Sequence, residues 1–411
     1  MIDKRLERIL NIWRIEASTY TYSTSISTTL AQAYAIKVLG FNVDLLGLMV
    51  SLQIGSVSLG FLVGSLLLVV FRRKRILLWK LFGAVNRILW AIIGFTHLLP
   101  IEAKTPFFLA SIATAQFTGS IAGLASGDVG ADLVSRERAI KFFSSLNSLT
   151  LLASCLGLAT ATVIFNFLLL NTVEAYTIAY SVALASSIIS TIPLALLEDL
   201  NPVTTRVKPV DALREYVYIA RSQEASNYLK LVTIFMAMVN LPGALWNYYL
   251  LTVFKGSESW ITLKAVVANL SQAVGFRVWG EISRRIGVKK TLYTGIFLTV
   301  PVPVIFIYAS TLPAQLAMEA YSGFIWAAYN LANNIYTLYL PRRESRVHFI
   351  TLLNLSFNAA AAVATRLGAS IASLGLMEMN AVFIASTLGR VVAGFIARSK
   401  APRLIVEASR K

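Results

Sequence analysis

Long apolar runs alternate with short polar segments along the chain, and each run is long enough to cross a membrane. The runs predict twelve helices, at about 17–38, 43–70, 76–98, 105–127, 142–170, 175–196, 228–253, 260–283, 289–309, 314–339, 350–374 and 379–397. A membrane-spanning helix takes about 20 apolar residues, so the longer runs allow tilt or extension beyond the bilayer. The pattern therefore predicts an all-α, polytopic membrane protein.

The composition supports this prediction and argues against soluble classes. Of 411 residues, 56% are hydrophobic and 14% are charged, and the mean hydropathy is +0.68; soluble domains carry about 25% charged residues. A net charge of +17 would suggest nucleic acid as the partner of a soluble protein, but here the basic residues lie between the apolar runs. With one cysteine, Cys155, and two histidines, no internal disulfide, metal site or cofactor is expected.

The distribution of Lys and Arg predicts the orientation of the chain. If both termini are cytoplasmic, 29 of the 37 Lys and Arg residues fall in cytoplasmic segments and four in external ones. Cytoplasmic loops of membrane proteins carry an excess of basic residues. The bias therefore predicts a multi-pass protein of the cell membrane with both termini in the cytoplasm.

The first 16 residues do not have the pattern of a cleavable signal peptide, because acidic and basic residues are mixed and no short apolar segment follows. Leu6, Ile9, Leu10 and Trp13 recur at helical spacing. This spacing predicts a short amphipathic helix that lies on the membrane surface.

The longest polar loop divides the chain into two sets of six helices. It predicts an N-terminal six-helix bundle at 1–197, a cytoplasmic linker at 198–227, and a C-terminal six-helix bundle with a cytoplasmic tail at 228–411. Helices 2 and 8 are each followed by a basic cluster, which begins at Arg72 and at Arg284, and both clusters fall on the same side. Equivalent loops on one side indicate parallel repeats related by an axis along the membrane normal.

The two basic loops resemble those of the major facilitator superfamily, and the resemblance extends over essentially the whole chain. The loop of that family is similar to G-x-x-x-D-(R/K)-x-G-(R/K)-(R/K); its Asp position holds Leu68 in the first copy and Arg284 in the second. The resemblance implies two bundles that rock around a central cavity, with a latch weaker than the family's or built otherwise, because neither copy has the Asp. It also implies cytoplasmic gating loops at Gly64, Arg72, Arg73, Lys74, Gly280, Arg285, Gly287, Lys289 and Lys290.

Helix 1 contains a dense run of hydroxyl side chains. Eleven of the twelve residues from Ser18 to Thr29 carry a hydroxyl, and Gln32 follows. One interpretation is the polar wall of a water-filled cavity, formed by the helical stripe Tyr22, Ser25, Thr29 and Gln32. The alternative is that Ser and Thr hydroxyls bond back to carbonyls of their own helix and favour close packing.

Other polar residues in the apolar runs extend the candidate cavity. Helix 7 contains Pro242 and Gly243, which predict a kink that serves either a substrate contact or packing alone. Helix 4 carries glycines at 119, 123 and 127, which predict a packing stripe. The candidate residues on these helices and on helices 10 and 11 are Gln116, Asn240, Trp246, Asn247, Trp326, Asn330 and Arg366.

Charged residues within spans are the strongest functional candidates. A charge near the middle of a span costs about 2.5–3.5 kcal/mol on insertion scales, so such residues usually face protein or water. Glu319 and Arg366 are predicted to face each other across helices 10 and 11, either as a functional or as a structural pair, and Glu319 is the candidate for proton coupling. Arg390 is expected to reach the cytoplasmic surface, and the pattern offers no partner for Arg87.

These observations predict a secondary active transporter that moves a small polar or amphipathic solute by alternating access, with proton coupling as one option. No P-loop is present, so ATP hydrolysis is not expected. The alternatives are a non-transporting receptor or scaffold and, with little support, a membrane-embedded enzyme; no catalytic residue is assigned. The expected partners are a small-molecule solute, the lipid bilayer and a proton or another coupling ion, with no nucleic acid, and the chain is expected to be a monomer.

Overall fold

The computed structural model describes residues 2–134, 136–167, 171–200, 209–342 and 345–403, with side chains described except at 2, 3, 72, 131, 132, 136–141, 143, 144, 167 and 209–213. Fifteen α-helices and no strand occur in this part of the chain. They are α1 (Ile2–Lys37), α2 (Val43–Val70), α3 (Arg75–Ile92), α4 (Ile101–Leu133), α5 (Arg136–Phe167), α6 (Thr172–Leu196), α7 (Pro209–Arg221), α8 (Gln223–Asn240), α9 (Leu245–Thr252), α10 (Glu258–Ile286), α11 (Val288–Thr299), α12 (Val302–Tyr308), α13 (Leu312–Tyr339), α14 (Arg346–Ala372) and α15 (Leu376–Lys400).

Nine helical stretches among the described residues are long and apolar enough to cross a membrane. The protein is therefore an all-α, polytopic membrane protein, as predicted. The predicted helices 1, 8 and 10 correspond to α1, α10 and α13, which are 36, 29 and 28 residues long but are not among the nine. These three helices carry hydroxyl, charged or amide residues that lower their hydropathy, so the count of twelve spans stays a prediction.

The N-terminal segment is part of a long helix. α1 runs without a break from Ile2 into the predicted first span. Ile9, Leu10 and Trp13 are buried in a core cluster with residues of α3 and α4. The prediction of a separate amphipathic helix on the membrane surface is wrong, because this apolar face is covered by protein.

The described helices form two compact units. Unit 1 contains Met1–Phe41, Leu59–Pro209 and Ser257–Val266, and unit 2 contains Asn42–Ser58, Val210–Gly256 and Val267–Lys411. In unit 1, α3 packs on α4, and α1 packs on α5 and α6; in unit 2, α8 packs on α14 and α15, and α11 packs on α13 and α15. α2 and α10 are thus each shared by both units. The predicted six-helix bundles stay a prediction.

Two prolines break helices in unit 2, and α15 supplies a donor at each break. α8 ends at Asn240 and α9 begins at Leu245, so the predicted break at Pro242 is confirmed. Since proline has no N–H, Pro242 and Pro303 leave the carbonyls of the residues four positions earlier without their helical donor. The Ser386 hydroxyl donates to Met238 O at 2.6 Å, and the Arg390 guanidinium donates to Thr299 O at 2.9 Å.

Arg390 does not reach the surface as the sequence suggested. Its side chain is 2% exposed and is held inside unit 2 at the break between α11 and α12. A bilayer surface satisfies a guanidinium through water and headgroups, but here a freed carbonyl supplies the acceptor. The snorkelling prediction is therefore wrong.

We expect Ser386→Ala to lower the free energy of unfolding by about 1–3 kcal/mol, because Met238 O then becomes a buried acceptor without a donor. Ser399→Ala is the matched control, since Ser399 is exposed on the same helix and bonds only to its own helix carbonyls. Pro242→Ala restores an N–H donor and should reduce the cost of Ser386→Ala. Thermal unfolding in detergent measures all of these variants; equal losses for Ser386→Ala and Ser399→Ala would contradict the capping role.

Candidate polar sites in the two units

A buried ion pair lies inside unit 1. Arg87 Nη2 on α3 is 2.6 Å from Glu16 Oε1 on α1, and the side chains are 2% and 5% exposed. The guanidinium also donates to Gly83 O at 3.0 Å and to Ser190 O and Oγ at 2.7 and 3.0 Å. It lies over the Tyr20 ring, 4.8 Å from the centroid. Arg87, for which the sequence offered no partner, is thus bonded to α1, α3 and α6.

Sequence reasoning missed Glu16 because the first predicted span begins one residue later. A boundary that is uncertain by a few residues decides whether a carboxylate counts as a loop residue or as a charge at depth. The available signal was Arg87, because an arginine buried within a span usually has an acidic partner on a neighbouring helix.

A cavity of about 210 Å³, here called the Glu16 cavity, opens beside this ion pair. The Tyr20 hydroxyl donates to Asn86 Oδ1 at 2.8 Å, and Asn86 Nδ2 donates to Ala115 O at 2.6 Å. The remaining wall includes two tryptophans and small residues of α4. The lining residues are Trp13, Glu16, Ala17, Tyr20, Thr21, Trp79, Gly83, Asn86, Arg87, Gly119, Ala122, Gly123 and Ser126.

The glycines of α4 do not form the predicted packing stripe. Among the described residues, a Cβ added at Gly123 or Gly127 would meet no atom of another element within 4 Å, whereas at Gly119 it would lie 2.5 Å from Asn86 Nδ2. Gly119 is thus needed for the close approach of α3. Gly123 widens the Glu16 cavity instead of packing against a helix, and the stripe prediction is wrong for Gly123 and Gly127.

Some hydroxyl residues of α1 fit the interpretation as a polar cavity wall, and others bond back to their own helix. Tyr22 contacts the Thr160 hydroxyl at 3.0 Å, and Ser25 donates to Tyr22 O at 2.9 Å. Thr29 and Gln32 are half-buried on the same stripe, and Gln116 is half-buried on α4. The alternative, in which hydroxyls bond back to their own helix, holds for Thr19, Thr21, Thr24, Ser25, Ser27 and Thr28.

The candidates of helix 7 lie at the break between α8 and α9 in unit 2. The Asn240 side-chain amide donates to Met236 O at 2.8 Å, and the Asn240 backbone carbonyl accepts from the Thr365 hydroxyl at 2.8 Å. Trp246 packs edge-on against Phe306 and Phe383, with centroids 4.8 and 4.9 Å away. These contacts fix the break and support its role in packing.

The remaining amide and tryptophan candidates of unit 2 lie on α9 and α13. Asn247 on α9 and Asn330 on α13 are half-buried. Trp326 contacts Phe235 and Tyr329, with ring centroids 5.9 and 5.5 Å away. Within unit 2, the amide and tryptophan candidates therefore lie on α8, α9 and α13.

Arg366 has an ion-pair partner that the sequence did not predict. Its Nη1 donates to Asp44 Oδ1 at 2.7 Å and to Asp44 O at 2.8 Å, and its Nη2 lies 3.2 Å from Asp44 Oδ2. Asp44 lies in the first turn of α2, whose N-terminal part belongs to unit 2 and packs so closely on α14 that a Cβ at Gly47 would overlap Ala369. Arg366 therefore pairs with Asp44 of α2, and its interaction with Glu319, directly or through one water, stays a prediction. Glu319 is half-buried on α13.

A second cavity, of about 480 Å³, lies in unit 2. It is formed where the start of α2 meets α9, the end of α14 and the start of α15. Polar side chains on its wall are Asn42, Tyr248, Thr252 and Ser373. The sequence pattern does not reveal this cavity, because its residues lie at or near the ends of four different predicted spans.

Comparisons with known proteins identify solved structures of similar fold but no matching sequence family. No family model and no curated protein sequence matches the chain. Among solved structures, the nucleoside transporter NupG superposes with a TM-score of 0.71 at 12% identity, over 95% of this chain and 98% of that one. The xylose transporter XylE from E. coli gives 0.69 at 12% identity, over 97% and 98%. A bacterial homologue of the iron transporter ferroportin gives 0.70 at 13% identity, over 96% and 99%.

The chain has the fold of the major facilitator transporters. At identities of 12–13%, the match establishes the fold and leaves the solute open.

The first of the two predicted gating loops is held by an arginine outside the motif. Arg75 is fully buried; its Nε donates to Asp199 Oδ2 at 2.7 Å and its Nη1 to Asp128 Oδ2 at 2.9 Å. It thereby joins the start of α3 to the end of α4 and the residues after α6. Gly64 packs against Ile121 and Leu124 of α4. Arg73 and Lys74 lie in a short 3₁₀ helix, and the Arg72 side chain lies outside the described residues.

The second predicted gating loop is a tight connection between α10 and α11. Gly287 has φ +88°, in the left-handed region that favours glycine, and it lets α11 start at the next residue. Arg284, at the missing Asp position, and Arg285 both pair with Glu281 of the preceding turn. Lys289 and Lys290 lie in the first turn of α11, and Gly280 has open space beside it. Both loops therefore lack the family's Asp, and in the first loop Asp128 and Asp199 supply carboxylates from elsewhere.

Proposed function

We propose that the chain is a secondary active transporter that moves a small polar or amphipathic solute across the cell membrane by alternating access. The proposal includes twelve spans in two six-helix bundles, both termini in the cytoplasm, and a monomer in the lipid bilayer. Its main support is the fold, which matches transporters of nucleosides and of xylose over 95% or more of this chain. The nearest alternative, a receptor or scaffold, gains no support from the structure.

The polar interior of both units supports the same proposal. Unit 1 contains a buried ion pair with a cavity beside it, and unit 2 contains a half-exposed ion pair and a second cavity. Charged groups at such depth are costly and are usually retained for a function. The half-buried residues Thr29, Gln32, Gln116, Asn247 and Asn330 are the proposed solute contacts, each within its own unit.

The function is tested first by binding and then by flux. A solute that binds the native state raises its apparent stability, by about 2.7 kcal/mol at a concentration 100 times Kd. Purified protein is screened by thermal shift against nucleosides, sugars, amino acids, small peptides and organic cations. Each hit is then assayed for uptake into proteoliposomes, with and without a pH gradient. Saturable uptake that requires the protein is expected; stabilising hits without any flux would support the receptor alternative.

Glu319 remains the proposed coupling residue of unit 2. We expect Glu319→Gln to lose accumulation against a gradient while exchange of solute across the membrane continues, because a neutral amide cannot carry a proton. Counterflow and gradient-driven uptake in proteoliposomes separate the two activities. Glu224→Gln, an exposed position in the first turn of α8, is the matched control. Normal uphill uptake by Glu319→Gln would exclude the role.

A further inference from the structure

The Glu16 carboxylate is a buried charge beside an open space. Its side chain is 5% exposed, yet it forms part of the wall of the Glu16 cavity. Among the described residues that line the cavity, Arg87 is the only other charged one. A purely structural ion pair would be better placed in a packed core, because a cavity beside it removes contacts without adding a partner.

Arg87 is bound in a way that does not depend on Glu16. The carbonyl of Gly83 and the carbonyl and hydroxyl of Ser190 accept from its other N–H groups, and the Tyr20 ring lies under the guanidinium. A cation over an aromatic ring gains electrostatic stabilisation. If Glu16 became neutral, Arg87 would keep these three acceptors and the ring.

The other buried arginine of unit 1 shows the contrast. Arg75 relies on the carboxylates of Asp199 and Asp128, with one long bond of 3.3 Å to a carbonyl. Protonation of either Asp would remove a charged acceptor from the Arg75 guanidinium. Arg75 therefore forms a structural clamp, whereas the surroundings of Arg87 tolerate a change of charge at Glu16.

In the part of the chain that the structure describes, few groups face Glu16. α3 contributes Arg87 and the amide of Asn86, α1 contributes Tyr20, and α6 contributes the Ser190 hydroxyl next to Arg87. The part of α4 on the cavity wall consists of Gly119, Ala122, Gly123 and Ser126, none of which is charged. The charge of Glu16 is thus controlled by Arg87 on one side and by the water content of the cavity on the other.

We propose that Glu16 binds and releases a coupling proton of this transporter, in addition to the proton proposed for Glu319, while Arg87 stays in place on α3. The proposal rests on the proposed transport function and adds a proton site in unit 1. A hydronium ion in the cavity transfers a proton to a Glu16 oxygen: one O–H bond forms, one O–H bond of hydronium breaks, and water remains. The ion pair becomes a hydrogen bond from Arg87 to a neutral carboxyl, and the site changes from net neutral to singly positive.

The protonation step is tested without any solute. Infrared difference spectra of the purified protein are recorded during a pH titration, because a protonated carboxyl has a C=O band that a carboxylate lacks. We expect a band that grows on acidification in the wild type, is missing in Glu16→Gln and is retained in Glu224→Gln. In Arg87→Gln the band should persist to higher pH, because the Arg87 guanidinium no longer stabilises the Glu16 carboxylate. The proposal is overturned if Glu16→Gln shows the same band as the wild type and Arg87→Gln does not shift that band.

The coupling step is tested once a transported solute is known. Glu16→Gln should retain counterflow but bring proton-driven accumulation down to the level of equilibration. If the wild type moves no solute, the transport function fails while the infrared result stands on its own. If Glu16 titrates but Glu16→Gln accumulates solute like the wild type, the coupling role is overturned and the transport function remains.

Discussion

Arg87→Met is expected to lower the free energy of unfolding by about 3–5 kcal/mol at neutral pH, the cost of leaving a buried charge without its partner. The loss should shrink as the pH falls, because protonation of Glu16 removes the uncompensated charge. The recovery is limited to about 1.4 kcal/mol per pH unit, the value of one proton. Denaturant or thermal unfolding in detergent between pH 5 and 8 measures both effects.

The control for Arg87→Met is the removal of both charges. The double variant Glu16→Gln/Arg87→Met leaves no buried ion and should lose less stability than Arg87→Met alone, which a double-mutant cycle makes quantitative. Arg284→Met, which breaks a pair that is 69% and 49% exposed, should change little. A loss in Arg87→Met that is independent of pH would show that packing of the long side chain, and not its charge, is what stabilises unit 1.

A disulfide between positions 162 and 262 is expected to stop transport. The hydroxyls of Thr162 on α5 and Thr262 on α10 are 2.7 Å apart within unit 1, whereas the same α10 continues into unit 2 after Val266. Alternating access requires α10 to change its packing, so a covalent link at this position should hold one state. Oxidation of Thr162→Cys/Thr262→Cys in a Cys155→Ala background should reduce uptake to background, and a reductant should restore it.

The matched control is a disulfide inside unit 1 that joins two helices wholly within it. The hydroxyls of Ser23 on α1 and Ser187 on α6 are 2.5 Å apart. Oxidation of Ser23→Cys/Ser187→Cys should leave uptake unchanged, because both helices belong to the same unit throughout. Full uptake by the oxidised 162/262 variant, with cross-linking verified by mass spectrometry, would refute the exchange of packing by α10.

The fold class was readable from the sequence, because apolar membrane helices are visible in the hydropathy pattern. The break in helix 7 was also readable, since proline acts through its own backbone. Its counterpart at Pro303 was not predicted, and neither was the role of α15. Ser386 and Arg390 act on carbonyls about 90–150 positions away in the chain, and only the packing of helices decides which side chain reaches them.

The ion pairs show where sequence reasoning ends. Glu16 and Asp44 both lie at the ends of predicted spans, so neither was counted as a charge at depth. Arg366 was matched to Glu319 because helices 10 and 11 are adjacent in sequence, yet a partner that was not predicted lies on α2, 322 positions away. Local pattern identifies which residues need a partner. The partner itself is set by tertiary packing, here by the division of α2 between two units.

The sharing of α2 and α10 has a consequence for synthesis of the chain. Unit 1 includes residues 257–266, so its last packing element is made well after Pro209, where its other long segment ends. At about 5–20 residues per second, the ribosome takes roughly 3–11 s to bridge that interval. During this time the hydroxyls that later bond to α10, Thr162 and Tyr176, face lipid, water or the membrane insertion machinery. During synthesis, unit 1 therefore lacks its last packing segment, residues 257–266, until that segment is made. Assistance from a chaperone would matter most in this interval.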